Sequence, residues 1–250
     1  MDLILIIVIV IIAFICSYID CTFGMGYGTL MCPILLIFGY AVSTVVPVLL
    51  LSQLFIGGTA SIFHHAFKNA NFHPKEKDLR KVLLFTAFGA IAVVFAVFIV
   101  ITVPNFYLML YIAIMILIVG AMLLFRISFV ISKKNLYWIS SISAFNKAIS
   151  GGGFGPIVTS GQMMTGSEVK NAVAITTLSE TFLSAFGFTL YIIFGGILDL
   201  WLAFFIIIGG IIATPFGAIQ TKKIKEEKAR LIIGIVVLSL GFMILIKCFI

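Results

Sequence analysis

Charge is scarce in this sequence. Asp, Glu, Lys and Arg together make up 10% of its 250 residues, where a soluble globular domain carries roughly 25%. With 62% hydrophobic residues and a mean hydropathy of +1.28, that shortage excludes an ordinary water-soluble domain. No polar stretch is long enough to form a separate soluble unit. No G-x-x-x-x-G-K-[ST] phosphate loop occurs, so the chain does not itself hydrolyse ATP. Cysteine is also sparse: Cys16, Cys21, Cys32 and Cys248 include no C-x-x-C pair. In apolar segments such residues behave as small hydrophobes. The start, Met1-Asp2-Leu3, has neither a basic n-region nor a small-residue cleavage site, so the first apolar run reads as a retained membrane segment.

What the chain does have is apolar runs long enough to cross about 30 Å of hydrocarbon. They fall at Leu3–Ile19, Ala41–Phe67, Val82–Val103, Phe106–Phe125, Asn171–Phe194, Leu200–Thr221 and Leu231–Ile250, with shorter pieces at Thr29–Phe38, 135–150 and Ile157–Thr165. The fold class is an all-α polytopic membrane protein. A net charge of +7 raises the question of nucleic acid, but the charges sit in short loops between apolar spans, as positive-inside topology requires. No nucleic-acid partner is expected.

Two clusters of poor helix formers interrupt these runs. Gly24-Met25-Gly26-Tyr27-Gly28 is the first and Gly151-Gly152-Gly153-Phe154-Gly155-Pro156 the second. Sliding the chain by 127 residues lays Gly24, Gly26 and Gly28 on Gly151, Gly153 and Gly155, Gly39 on Gly166, and Leu51-Ser52-Gln53 on Leu178-Ser179-Glu180. One shared offset over about 30 residues implies two homologous halves, residues 1–130 and 131–250, forming a single transport unit.

Basic residues then suggest sidedness. Loops 68–81, 126–134 and 222–230 hold thirteen of the 16 Lys and Arg residues, whereas 104–105 and 195–200 hold none. All three basic loops share the cytoplasmic side only if each broken segment, 1–40 and 135–168, enters and leaves on one side as a hairpin of two half-helices. Each half is then one hairpin plus three spans, about eight membrane-embedded units in all, and the second half is inverted. Inverted repeats with broken helices are the architecture of secondary transporters. Unwound backbone at that depth is tolerated only where it lines a cavity or is buried in protein. Half-helices beginning at Gly28-Thr29 and Gly155-Pro156 would aim free N–H groups at one pocket, which suits an anion. The other use of such glycines is close helix packing.

A charged side chain at the centre of a membrane helix costs roughly 2.5–3.5 kcal/mol on insertion scales, so each one asks for a reason. Glu180 lies mid-span on a face shared with Thr176, Thr177 and Ser184. Its repeat partner is Gln53. Asp20 and Lys147, each four residues before a glycine break, are also repeat partners of opposite charge. The expected substrate site comprises Gly26, Gly28, Thr29, Ser52, Gln53, Lys147, Gly153, Gly155, Ser179 and Glu180, with Glu180 and Asp20 carrying protons. Glu168 and Lys170 read as interfacial, and Asp199 beside Trp201 as an outer loop with an aromatic anchor. His64, His65 and His73 have no carboxylate at metal spacing, so neither metal nor other cofactor is expected. Together with Glu76 and Asp78 they are the only acid–base candidates for a lipid-modifying enzyme. They lie in or beside a topogenic loop, and no enzymatic activity is expected.

The two breaks also carry a resemblance. With "SGGGFGP" in the second half and "FGMGYGTLMCP" in the first, the chain resembles the TauE/SafE sulfite-exporter-like transporters along essentially its whole length. The first break departs from the usual pattern, with Met25 and Tyr27 where small residues are usual. The resemblance implies export or uptake, export in the first instance, of a small sulfur-containing anion such as sulfite or an organosulfonate like sulfoacetate by a secondary transporter. Proton coupling, membrane lipids as surroundings, a prokaryotic cytoplasmic (inner) membrane and compatibility with an oligomer complete the expectation. The rival reading is an anion channel using the same re-entrant hairpins as a pore.

Overall fold

The computed structural model describes residues 3–125, 132–194, 198–223 and 226–249. Met1, Asp2, Arg126, Lys225 and Ile250, which the sequence reading used, lie outside the described residues. Among those described, every regular element is a helix: α1 Leu3–Phe23, α2 Tyr27–Ile37, α3 Val42–Ala66, α4 Lys77–Thr102, α5 Asn105–Leu124, α6 Lys133–Ser150, α7 Phe154–Met164, α8 Val169–Ile193, α9 Leu200–Gln220 and α10 Glu226–Lys247. Six of them are long and apolar enough to cross a membrane.

The internal echo extends to helix boundaries. α2 and α7 are both 11 residues long, α3 and α8 both 25, and each pair is displaced by the same 127 positions. The turns match as well. Gly24 and Gly151 end α1 and α6 at φ 66° and 74°, and their amides donate to the Asp20 and Lys147 carbonyls at 2.6 and 2.7 Å. Such left-handed ends favour glycine, because a Cβ there meets the following carbonyl. Gly39 and Gly166, at φ 99° and 93°, close α2 and α7 in the same manner.

Several boundaries differ from the sequence reading, among them α4 and α10, which begin at Lys77 and Glu226 rather than Val82 and Leu231 because the polar residues before those runs already take helical conformation. α1 runs on past Ile19 to Phe23, because Asp20, polar by type, is buried among partners rather than ending the helix. At 21 residues α1 is longer than the half-helix the sequence suggested, and long enough by itself to cross a membrane. α2 and α7 begin at Tyr27 and Phe154, so Gly28 and Gly155 lie inside their first turns.

α3 and α8 form the centre. Of their most apolar windows 67% and 61% is buried, against 28% for α1. They pack closely where Gly57 faces Thr181. α1 runs along α9, with Gly209 against the Val10 backbone and Gly217 against Cys21, while α5 lies along α10 through Gly120 and Leu238. Small residues at these seams let helix backbones approach, the packing expected where lipid supplies no hydrophobic drive between helices. Outward faces carry Ile4, Ile7, Ile11 and Ile15 on α1 and Phe204, Ile208, Ile212 and Phe216 on α9.

Two sets of contacts locate the ends. At one end the amide of Val42, opening α3, donates to Asn105 Oδ1 at 2.9 Å, and the Lys247 ammonium donates to the carbonyls of Leu36 and Ile37 at 2.8 and 2.9 Å. At the other end the turn after α7 and the basic segment after α3 line one polar cavity of about 990 Å³.

Candidate substrate site

The two glycine breaks cross one another. A Cβ added to Gly28 would strike the Gly151 carbonyl, one on Gly152 would lie 2.5 Å from the Thr29 nitrogen, and one on Gly155 would meet the Gly24 carbonyl. Backbone packs against backbone here. These glycines therefore do serve close packing, and Gly28 and Gly155 have their Cα faces occupied by the opposite break.

Around this crossing the buried charges converge. Gln53 Nε2 on α3 donates to Asp20 Oδ2 on α1 at 3.3 Å and to Glu180 Oε2 on α8 at 3.2 Å. Lys147 Nζ on α6 lies 3.7 Å from Glu180 Oε1 and is near enough to act electrostatically on Asp20. Asp20, Gln53, Lys147 and Glu180 are 5%, 1%, 2% and 5% exposed, so the cluster is closed to bulk water. Each pair of repeat partners is thus split across the cluster, and the offset that relates them in sequence also brings them together in space.

Both short helices begin at a carboxylate. The Tyr27 amide opening α2 donates to Asp20 Oδ1 at 3.2 Å, and the backbone of Gly155 in the first turn of α7 hydrogen-bonds Glu180. Helix N-termini carry unsatisfied N–H groups and about half a positive charge, so a carboxylate is a natural occupant. The chain's own anions cap the ends that the sequence suggested for a ligand. Ionised, the cluster has one more negative than positive group. Gln53 Oε1 and the Thr29 hydroxyl have no hydrogen-bond partner although both residues are buried. Unmade hydrogen bonds at such depth cost about 1–3 kcal/mol each, which makes them places where a ligand gains by binding.

The remaining candidates sit further out. Gly26 and Gly153 are the N-caps of α2 and α7. The Ser52 hydroxyl contacts the Tyr27 hydroxyl and its own helix, and Ser179 bonds back to the Ile175 carbonyl at 2.8 Å; neither hydroxyl contacts the charged groups. Thr159 and Gln162 of α7 escaped the sequence reading. Thr159 Oγ1 donates to the Gly24 carbonyl at 2.9 Å and lies 3.0 Å from Thr176 Oγ1, to which Gln162 Nε2 donates at 2.9 Å. Their spacing of three along a short helix was the available signal.

Outlying charges have structural duties. Glu168 pairs with Lys170 at 3.0 Å, Asp199 Oδ1 caps α9 through the Leu202 amide at 2.9 Å, and Trp201 is exposed. His64 is buried between Asn69 and Cys21, and His65 accepts from the Phe72 amide. Among the described residues no group of three or more His, Cys, Asp or Glu is placed to hold a metal.

Crossed interrupted helices around buried charges, within a bundle of apolar spans, define a multi-pass membrane transporter. The chain belongs to the sulfite exporter TauE/SafE family, whose match covers residues 9–244 and so includes both breaks and all four cluster residues. It is a sulfite exporter-type membrane transporter and not an enzyme. No curated protein and no solved structure matches the chain.

Proposed function

We propose that the chain is a proton-coupled secondary transporter that exports a small sulfur-containing anion, sulfite or an organosulfonate, across a prokaryotic cytoplasmic membrane. The observation that carries this reading is that Asp20 and Glu180 occupy the N-terminal ends of α2 and α7. A substrate oxyanion would compete with them for those same N–H groups. Protonating a carboxyl weakens its hold on a helix N-terminus and removes a like charge, so the anion can enter as protons arrive. Lys147 then supplies a fixed positive charge, and the unpartnered Gln53 Oε1 accepts from a protonated carboxyl or a protonated substrate oxygen.

We also infer that residues 1–130 and 131–250 are inverted repeats. The end of α2 lies where α3 begins, the end of α7 lies at the cavity where α3 finishes, and α3 has 25 residues, about 37 Å of helix. The two hairpins therefore open toward opposite ends, which supports alternating access around the central cluster.

The test is charge movement in proteoliposomes on rapid addition of sulfite, sulfoacetate, taurine, sulfate and chloride. Saturable sulfite or sulfoacetate signals that change with a pH gradient support the proposal. Saturable signals without pH dependence remove the proton coupling, and a linear chloride current favours a channel.

A further inference from the structure

The cavity at the basic end is a second site distinct from the charged cluster, and α7 is the wall between them. The N-terminus of α7 reaches Glu180 through Gly155, while Gln162, near its C-terminus, lines the cavity. Phe154 and Gln162 are eight residues apart, about 12 Å of helix. Along α8, Thr176 precedes Glu180 by four residues, about 6 Å. The bonds from Gln162 to Thr176, between Thr176 and Thr159, and from Thr159 to the Gly24 carbonyl therefore stitch α7 to α8 and to the first break between cavity and cluster.

The cavity's charge is biased. Of its two carboxylates, Asp78 accepts from the Asn71 amide and from Asn171 Nδ2, both at 2.9 Å, and Glu168 pairs with Lys170. Lys68 and Lys81, which also line it, have no ion-pair partner among the described residues. At the floor, Gln162 is 2% exposed and its Oε1 has no hydrogen-bond partner.

We propose that this cavity is an anion-collecting vestibule, in which Lys68 and Lys81 gather small oxyanions, and that the Gln162–Thr176–Thr159–Gly24 chain is the gate that admits them to the central cluster. The ligand class rests on the anion-transport reading above. Its three lysines outnumber its two carboxylates, and a wall of net positive charge raises the local concentration of anions, an effect that salt screens. The gate is made of hydroxyls and an amide, which can exchange partners with a passing oxyanion.

The test needs no substrate. In a Cys248→Ser background, Ser167→Cys places one thiol on the vestibule wall, the other cysteines being buried. Its modification rates with a negatively charged sulfonate and a positively charged ammonium methanethiosulfonate are each normalised to a free thiol. The anionic reagent should win by about fivefold, and the preference should vanish in Lys68→Gln/Lys81→Gln or in 1 M salt, where charges are screened within about 3 Å. Because the preference is read within one folded variant, misfolding cannot imitate it. For the gate, a Thr29→Cys thiol beside the cluster should be protected, and Thr176→Val should expose it several-fold. Equal rates for the two reagents at position 167, or no change at position 29 on loosening the gate, would overturn the proposal. A chain with the charge preference but no anion flux in liposomes would keep the vestibule and sink the transport reading. Flux without the preference would do the reverse.

Discussion

Gln53 and Glu180 are hydrogen-bonded to one another at 3.2 Å, and their separation of 127 residues is the offset at which the glycine breaks and the helices after them recur. Residues equivalent by internal repetition thus meet at the centre of the fold. Where repeat partners face each other, their identities are exchangeable in principle. The double substitution Gln53→Glu with Glu180→Gln should keep the charge count and the bond between the two positions, while giving up the bond from Gln53 to Asp20 and the Lys147–Glu180 pair. Gln53→Glu alone adds an unpaired buried carboxylate and should cost about 3–5 kcal/mol. Thermal unfolding in detergent should find the single variant clearly less stable and the double variant recovering part of the loss, the rest being the contacts to Asp20 and Lys147 that the exchange gives up. Equal melting temperatures for single and double variants would separate the pair energetically.

Glu180→Gln tests proton coupling. The amide keeps a hydrogen-bonding partner for Gln53 and for the backbone of Gly155, so the fold should survive, but the group no longer titrates. Wild-type flux of sulfite should rise as the loading side is acidified, because a protonated carboxyl releases α7 for the anion. The variant should transport at a rate nearly independent of pH. Stopped-flow flux across a series of internal and external pH values would read this directly, and an unchanged pH profile would move the coupling role elsewhere.

Much of this arrangement was legible in the sequence because repetition is a one-dimensional property that survives folding. The glycine offset located both breaks and paired Asp20 with Lys147, and insertion cost singled out Glu180 and Lys147. Other features required three dimensions. Thr29 and Ser52 look alike as buried hydroxyl residues, but one has no partner and the other touches Tyr27. That carboxylates cap α2 and α7 depends on how the hairpins cross. Tyr27 seemed a departure from small residues, yet its backbone amide makes the contact with Asp20, a role independent of side-chain type. Thr159 and Gln162 went unnoticed because single polar residues in a short helix carry little periodic signal.

Gly28 and Gly39 separate two reasons for glycine. At Gly28 a methyl group would collide with the Gly151 carbonyl of the other break, which cannot yield without moving that break away from α2. Gly28→Ala should abolish the crossing and with it most folded protein in detergent. At Gly39 nothing lies within 4 Å of the added carbon and the only difficulty is φ 99°, worth about 1–2 kcal/mol for a side chain. Gly39→Ala should fold, with a modestly lowered melting temperature. Size-exclusion profiles of the two variants would distinguish packing from backbone conformation.

Lys147 is the single cation in reach of two buried carboxylates among the described residues, and its removal should be felt as uncompensated charge rather than as lost volume. Lys147→Ala should destabilise the protein by about 3–5 kcal/mol, and at neutral pH more than at acidic pH, where protonated carboxyls need no partner. Lys147→Met, which preserves the stem, should behave similarly. Adding Glu180→Gln to either variant removes the orphaned charge and should recover a large part of the loss, even though it deletes another member of the cluster. Melting temperatures of the single and double variants at two pH values form a thermodynamic cycle. A rescue would establish that Lys147 neutralises Glu180, whereas additive losses would assign the lysine a packing role instead.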